Sequence, residues 1–472
     1  MLAGLSAIAV VGQMLGAGPW HLGGLTVDRL GAAMAMLVTT VGASVFRFSV
    51  RHLEGDPRRG RFLGWLAFTV GSAGLLMLAT DLIPLFVAWS MTSFGLHQLL
   101  THYPDRAEAV RPARKKFLIS RIGDAALIGA IVMTVQVWGT TDLLAIDRAP
   151  APADATAAHV AAVLIVIAAL TKSAQFPFHS WLPETMEAPT PVSAMMHAGV
   201  INAGGALLIR TSPIVGQSEA AMLILSTIGS ITVAIGMLAM WAQAKAKRTL
   251  AWSTVAQMGF LMIECGLGAF PAAMLHILGH GWYKARAFLT IGELPAPGPK
   301  LDSSRSPMAA ALGTVAAIPA LMLAAQVTGF APDESPGEWA MAAILAMAIG
   351  QGWGVVIGRS WRTGRVLSAA IATPAAAILA FTLYRGAAIY LAPVLGEFHP
   401  IEGWPAIVAG SIPVATFAAL IVVRAILPAL GRTAAGRAFY VHALNGFYFG
   451  AIADRLVDRV ARIFGLREVQ GA

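Results

Sequence analysis

The apolar run Val163–Leu170 leads directly into Thr171-Lys172-Ser173-Ala174-Gln175-Phe176-Pro177-Phe178-His179-Ser180-Trp181-Leu182-Pro183. Two prolines six residues apart, with polar groups between them, cannot continue a regular helix. Inside an otherwise lipid-soluble stretch, such a break is tolerated only where the backbone is buried in protein or lines a wet cavity. Lys172 sits at its edge. An ammonium group is costly to hold in a dry site, so a lysine placed there reads as a proton or cation carrier rather than as a side chain snorkelling to the interface.

The chain around the break is a membrane chain. Its 472 residues are 57% hydrophobic and 12% charged, against about 25% charged in a soluble domain. So few charges cannot cover a water-facing surface of this size, which excludes a soluble enzyme, a disordered chain and a nucleic-acid binder. The 20 Met and 48 Gly suit helices that pack closely in lipid. The single cysteine, Cys265, excludes a disulfide framework and a Cys-ligated zinc or iron–sulfur site.

A spanning helix needs about 20 mostly apolar residues. Working outward from the break, about fourteen runs qualify, near 1–18, 30–46, 62–80, 82–100, 117–138, 157–175, 190–210, 219–242, 249–268, 270–291, 308–328, 338–358, 366–390 and 404–428. The first lacks the basic n-region and cleavage site of a signal peptide, so it is expected to be retained. The last stretch, Arg437–Arg467, sets Phe439, Tyr440, Leu456, Val457, Val460 and Ile463 against Arg455, Arg459 and Arg462. It predicts an amphipathic helix lying on the membrane or on a partner. The fold class expected is therefore an all-α polytopic membrane protein.

The excess of 33 Lys and Arg over 24 Asp and Glu is a matter of topology. With both termini cytoplasmic, the inside loops hold Arg47 to Arg61, Arg106 to Lys116, Lys245 to Arg248, Lys300 and Arg305, Arg359 to Arg365, and the arginines after residue 428. The outside loops hold only Arg29 and Arg148 among basic residues, with Asp142, Asp147, Asp154, Asp333, Glu334, Glu397 and Glu402. No anionic partner is needed to explain the charge. Every linker is short, about 20 residues at most, leaving no room for a soluble catalytic head.

Ionisable residues in the spans each need a reason, because one near the bilayer centre costs about 2.5–3.5 kcal/mol on insertion scales. His276, His280 and Lys284 recur at i, i+4 and i+8. Each step of four turns the helix by only about 40°, and eight residues advance about 12 Å. The three form a ladder on one face, the pattern of a proton relay. His-x3-His on a helix also suits zinc, but the glutamate of a His-Glu-x-x-His motif is missing and no nearby carboxylate or cysteine in sequence completes a site. Arg121 and Asp124, three apart, are expected to pair and to modulate a neighbouring lysine. Lys247 is placed at the cytoplasmic mouth of the ninth run, Glu264 near the opposite interface, and Arg385 is read as a snorkelling residue without a role.

The residues around the break carry a resemblance. Lys172-Ser173-Ala174-Gln175-Phe176-Pro177-Phe178-His179-Ser180-Trp181-Leu182-Pro183-Glu184, followed by Ala188-Pro189-Thr190-Pro191-Val192-Ser193-Ala194-Met195-Met196-His197-Ala198, resembles the core of the proton-translocating antiporter-type subunits of complex I and of Mrp cation/proton antiporters. Lys247–Thr254 and His276–Leu289 match the second half of that core, so the likeness covers roughly 62–390. It implies two inverted five-helix repeats, 62–210 and 219–390, each with a broken helix. Residues 1–61 would then be N-terminal transmembrane helices, 404–428 the last span and 437–467 a cytoplasmic tail. It also implies an ion path through Lys172, His197, Lys247, His276, His280 and Lys284.

The chain departs from that family at two points. Trp89 is followed by Ser90 where the family has a glutamate, and Ala317–Glu334 offers Pro319 and Gly329 but no lysine. Shorter motifs narrow the resemblance. Arg47–Leu63, Leu96–Leu100, Tyr103–Arg106, Glu264–Gly268, Tyr283–Phe288 and Phe439–Tyr448 are similar to the membrane subunits of Dab-type inorganic-carbon accumulation complexes. That implies a DabA-like partner, a large zinc subunit resembling a β-carbonic anhydrase. The present chain would hold no cofactor of its own. It would sit in the cell inner membrane and conduct cations, protons or sodium, to drive CO2 hydration by the partner. The rivals are a subunit of an Mrp antiporter or complex-I-like assembly, and a membrane anchor whose path is closed.

Overall fold

The computed structural model describes residues 1–150, 152, 154–293, 306–329, 336–358, 361–395 and 403–463. Helix α1 (Leu2–Met14) precedes a short antiparallel hairpin, β1 (Trp20–Leu22) and β2 (Leu25–Val27), turned at Gly23-Gly24. There follow α2 (Arg29–His52), α3 (Arg59–Leu78), α4 (Leu82–Leu100), α5 (Ala107–Trp138), the one-turn α6 (Leu143–Asp147) and α7 (Ala155–Lys172). The region after the break is built from short pieces: α8 (Trp181–Glu184), α9 (Thr190–Ala198), α10 (Ala203–Arg210) and α11 (Ser212–Val215). Long helices then return with α12 (Glu219–Ala242), α13 (Ala246–Gly266), α14 (Phe270–Leu289), α15 (Pro307–Thr328), α16 (Pro336–Ile357), α17 (Thr363–Leu395) and α18 (Gly403–Leu430). Two tail helices, α19 (Ala434–Leu444) and α20 (Phe449–Ile463), complete the described residues.

Helix forms in each of the fourteen apolar runs. Among the described residues, ten helices are long and apolar enough to cross a membrane, counting Thr190–Arg210 as one. Of the rest, α1 has only 13 residues and stops before Gly16-Ala17-Gly18-Pro19, short of the 1–18 expected. Helices α4, α13 and α14 have spanning length, at 19, 21 and 20 residues. Their apolar content is lower because they carry the polar groups of the site described below.

The expectations are refined at four points. The basic block Arg111–Lys116 is not a loop, since α5 begins at Ala107 and buries Lys115 and Lys116. The 190–210 run has spanning length as expected, with a 3-10 turn at Val200–Asn202 inside it. Helix α15 runs through Pro319 to Thr328, so that proline does not break it. The amphipathic tail is two helices, bent at Gly446–Tyr448. Lys300, Arg305, Asp333, Glu334, Arg359, Glu397, Glu402 and Arg467 lie outside the described residues.

One large core joins α2–α5, α7, α9, α10, α12, α13 and α14. Smaller apolar clusters tie α16 and α18 to the α12–α13 pair, and α15 to α16 and α17. Asp28 caps α2 by accepting from Gly31 N at 2.7 Å, and the same carboxylate grips the buried Arg210 guanidinium at the end of α10. Arg385 has a structural role that the sequence reading missed, donating to the Thr328 carbonyl at the end of α15.

Small residues let α12 and α13 touch backbone to backbone. A methyl group at Gly259 would meet Gly229 O at 2.8 Å and Val233 N at 2.9 Å, and one at Gly229 would meet Gly259 O at 2.6 Å. Gly259→Ala is therefore expected to destabilise the protein by about 1–3 kcal/mol through overpacking. Gly279→Ala, on an open face of α14 with nothing within 4 Å, is expected to be neutral or stabilising by up to about 1 kcal/mol. Thermal unfolding of the two purified variants side by side checks both signs.

Candidate functional site

Helix α7 ends at Lys172 because the chain cannot stay helical through Gln175-Phe176-Pro177. Ala174 takes a left-handed turn with φ +50°. Ser173 N and Gln175 N still reach the Ala169 and Leu170 carbonyls at 2.9 Å. Phe176 N is satisfied by Thr232 Oγ1 at 3.0 Å, and the Gln175 amide bonds Ser173 O at 2.7 Å. Helix α10 presses on this corner, since a Cβ at Gly204 would meet Ala169 O at 2.6 Å.

The corner aims Lys172 into the kink-free middle of α4. Its Nζ donates to Trp89 O at 3.0 Å, Thr92 Oγ1 at 2.7 Å and Ser93 Oγ at 2.8 Å, and it lies 4.3 Å from the centre of the Trp89 ring. Among the described residues no carboxylate pairs with it. The nearest acidic group works through the indole: Trp89 Nε1 donates to Asp124 Oδ1 at 3.2 Å, and Asp124 pairs with Arg121 at 2.7 Å. The i, i+3 pair expected from the sequence is therefore formed, and it reaches the lysine through Trp89. Ser90 takes no part. Lys116, assigned to a loop from the sequence, instead donates from a buried position to Ser93 O at 2.7 Å. Two lysines thus share one serine, at its side chain and its carbonyl.

A second group gathers on α9, α13 and α14. His276 and His280 meet edge to face at 5.9 Å, and Lys284 donates to Leu250 O at 3.1 Å and to Ser253 Oγ. His197 stacks on Phe288 at 4.4 Å between ring centres. Both nitrogens of His197, both of His280 and Nε2 of His276 are buried without a protein partner. Glu264 lies on the last turn of α13, at the end opposite Lys247 as expected, and there it is buried in protein and bonds His276 Nδ1 at 2.7 Å. The sequence signal was present but indirect, because residues 264 and 276 face each other only across the tight turn 267–269. Among the described residues no group of three or more His, Cys, Asp or Glu is placed to hold a metal ion.

Lys247 ties the two halves together. Its ammonium donates to Met186 O at 2.7 Å and Ala188 O at 3.1 Å, the carbonyls that end the broken segment. His179, quoted in the motif but given no role, lies within it, ringed by Phe176, Trp252 and Phe449. Above it, α20 covers the break. Phe449 packs edge-on against Phe176 at 5.1 Å, and a Cβ at Gly450 would meet Glu184 Oε1 at 2.5 Å. Lys115, wholly buried, bonds Glu184 of the break and pairs with Asp454 of α20, both at 2.6 Å. Arg111 adds a 3.0 Å pair with Asp458.

Residues 79–359 match the family described as "NADH:quinone oxidoreductase/Mrp antiporter, TM", and residues 23–63 match "NADH-Ubiquinone oxidoreductase (complex I), chain 5 N-terminus". The chain is similar to the probable inorganic carbon transporter subunit DabB2 of Halothiobacillus neapolitanus, 44% identical over 62% of this chain and 56% of that one. It is 39% identical to a probable DabB of Hydrogenovibrio crunogenus over 57% of this chain and 52% of that one. With NADH-quinone oxidoreductase subunit L of Mycobacterium tuberculosis it shares 32% identity over 57% and 43%. Among solved structures, the Mrp complex from Dietzia sp. DQ12-45-1b aligns with TM-score 0.67 and 25% identity, covering 99% of this chain and 57% of that one. The alignments take in about half the length of the curated relatives.

Replacing both carboxylates of α20 by amides, Asp454→Asn with Asp458→Asn, leaves Lys115 and Arg111 without those partners. The helix is expected to open about tenfold more often, one tenfold step being about 1.4 kcal/mol. Trypsin cleavage after the exposed Arg455 and Arg459, followed on the detergent-solubilised protein, reads that opening.

Proposed function

The chain belongs to the NADH:quinone oxidoreductase/Mrp antiporter transmembrane family, and from that premise we propose that it is the cation-conducting, energy-coupling membrane subunit of a Dab-type inorganic-carbon accumulation complex. The observation that carries the reading is Lys172. It is an ammonium group buried at a helix break, held by one carbonyl and two hydroxyls. Intramembrane lysines of this kind mark ion and proton pathways. Similarity at 44% identity to a probable DabB2 supports the narrower assignment.

On this reading the proton is the ion carried, and it passes between Lys172, Lys247, Lys284 and the histidines His197, His276 and His280. Arg121 and Asp124 set the field at Lys172 through Trp89, in place of the carboxylate absent at Ser90. The 62–210 and 219–390 segments act as the two repeats, in the inner membrane, with both termini cytoplasmic. Catalysis belongs to a DabA-like partner whose zinc site hydrates CO2, and the gradient spent through this chain makes that hydration one-way. The likeness to the Mrp complex over 99% of the chain favours a second reading, a subunit of a cation/proton antiporter. Adjacent genes for antiporter subunits would select it, whereas a gene for a large zinc protein would select the first.

The test is growth in air of a carbonic-anhydrase-deficient bacterium that co-expresses this chain with its neighbouring large subunit. Wild type is expected to rescue growth. Rescue is expected to be lost with Lys172→Ala and with a protonophore, at equal protein level and assembly. Asp124→Asn is expected to weaken it, and unchanged rescue in that variant would remove Asp124 from the mechanism. Rescue that survives Lys172→Ala would leave the chain as an anchor. No rescue by an assembled wild type would pass the assignment to the antiporter reading.

A further inference from the structure

We infer that Glu264 and His276 form the proton-exchange site at the end of the path opposite Lys247, with Glu264 as the group that loads the α14 ladder. The inference rests on the conducting role proposed above, and it adds a residue that the sequence reading left at the interface.

The pair is buried, with side-chain exposures of 5% for Glu264 and 9% for His276. Stability gives a poor reason for keeping it. Buried ion pairs are often matched or bettered by apolar residues of the same volume, and the surroundings here are apolar. Ile263 and Cys265 flank the carboxylate in the buried end of α13, and Phe260 lies 5.6 Å from the imidazole.

Position gives a better reason. Glu264 lies on the last turn of α13, and His276 near the start of α14, beside the connecting turn at 267–269. Lys247 opens α13 seventeen residues earlier, about 25 Å away along the helix. Lys284 bonds at Leu250 and Ser253, towards the Lys247 end. The ladder of His276, His280 and Lys284 therefore runs from the carboxylate towards the lysines.

The bonding pattern suits transfer along that line. Glu264 engages Nδ1 of His276, so Nε2 is the free nitrogen, and it has no protein partner. The neighbouring His280 has none at either nitrogen. An unpaired buried polar group costs about 1–3 kcal/mol, so three such nitrogens in succession suit a wetted line along which a proton can pass. The step balances. A proton on the Glu264 carboxyl passes to His276 Nδ1, leaving carboxylate and imidazolium. The imidazolium then releases its Nε2 proton towards His280, which returns a neutral ring.

The experiment uses the complete complex in lipid vesicles, with proton uptake driven by an imposed potential and read by an internal pH dye. Infrared difference spectra between acid and neutral pH are recorded on the same samples. Glu264→Gln is expected to slow uptake by about a hundredfold, the usual size of a lost proton-transfer group, with assembly and unfolding temperature unchanged. Glu264→Asp is expected to restore part of the rate. A protonated-carboxyl band is expected to vanish in Glu264→Gln and to shift in His276→Gln. Undiminished uptake in Glu264→Gln, in vesicles where Lys172→Ala has lost it, overturns the inference. Should wild type itself carry no protons, the conducting role fails and the exchange site falls with it, an outcome distinct from a loss confined to Glu264. A conducting wild type with no pH-dependent carboxyl band at Glu264 likewise overturns the inference and reduces the pair to a lock between α13 and α14.

Discussion

Lipid offers no hydrogen-bond partners, so the break after Lys172 exists only because protein groups take over the bonds that the helix gives up. Thr232 accepts from Phe176, the Gln175 side chain turns back on Ser173, and Lys247 satisfies the two carbonyls at Met186 and Ala188. Those donors and acceptors come from α12 and α13 as well as from the break itself. The contact between α12 and α13 must therefore be close and rigid, which the facing glycines 229 and 259 provide. Much of the architecture follows from supplying partners to roughly a dozen residues of irregular backbone.

The same requirement arranges the charges. Several buried lysines among the described residues are held by neutral groups. Lys172 is held by a carbonyl and two hydroxyls, Lys116 by one carbonyl, and Lys284 by a carbonyl and a hydroxyl. Neutral partners position an ammonium group without pinning its charge, whereas a salt bridge would fix it. Carboxylates bind other cations tightly, within α5 in the Arg121–Asp124 pair and between separate elements in Arg210 with Asp28 and Lys115 with Glu184 and Asp454.

How much of this was readable from the sequence depended on whether a signal was local. Apolar runs of about 20 residues, the Pro177 break and the i, i+4 ladder are one-dimensional patterns, and helices and break appear where those patterns put them. The start of α5 was misplaced because a basic block mimics a cytoplasmic loop. Helical continuation buries Lys115 and Lys116 against partners some 20 to 340 residues away. The partner of Glu264 was illegible for a related reason, since His276 lies beyond a turn. Pro319 failed to break α15 because the helix can absorb one proline when its neighbours pack closely, whereas the earlier break has two prolines with His179, Ser180 and aromatic residues between them. The Asp124–Arg121 pair was legible, but its route to Lys172 through an indole was not.

The cover over the break has a consequence in time. Helix α20 emerges from the ribosome well after Lys172, a delay of roughly 15–55 s at 5–20 residues per second. Through that interval α7, α9 and α13 are already in the membrane, while Phe176, His179 and Glu184 stand without Phe449, Gly450 and Asp454 above them. Biogenesis therefore passes through an open-mouthed intermediate, and arrival of the tail is the event that seals it.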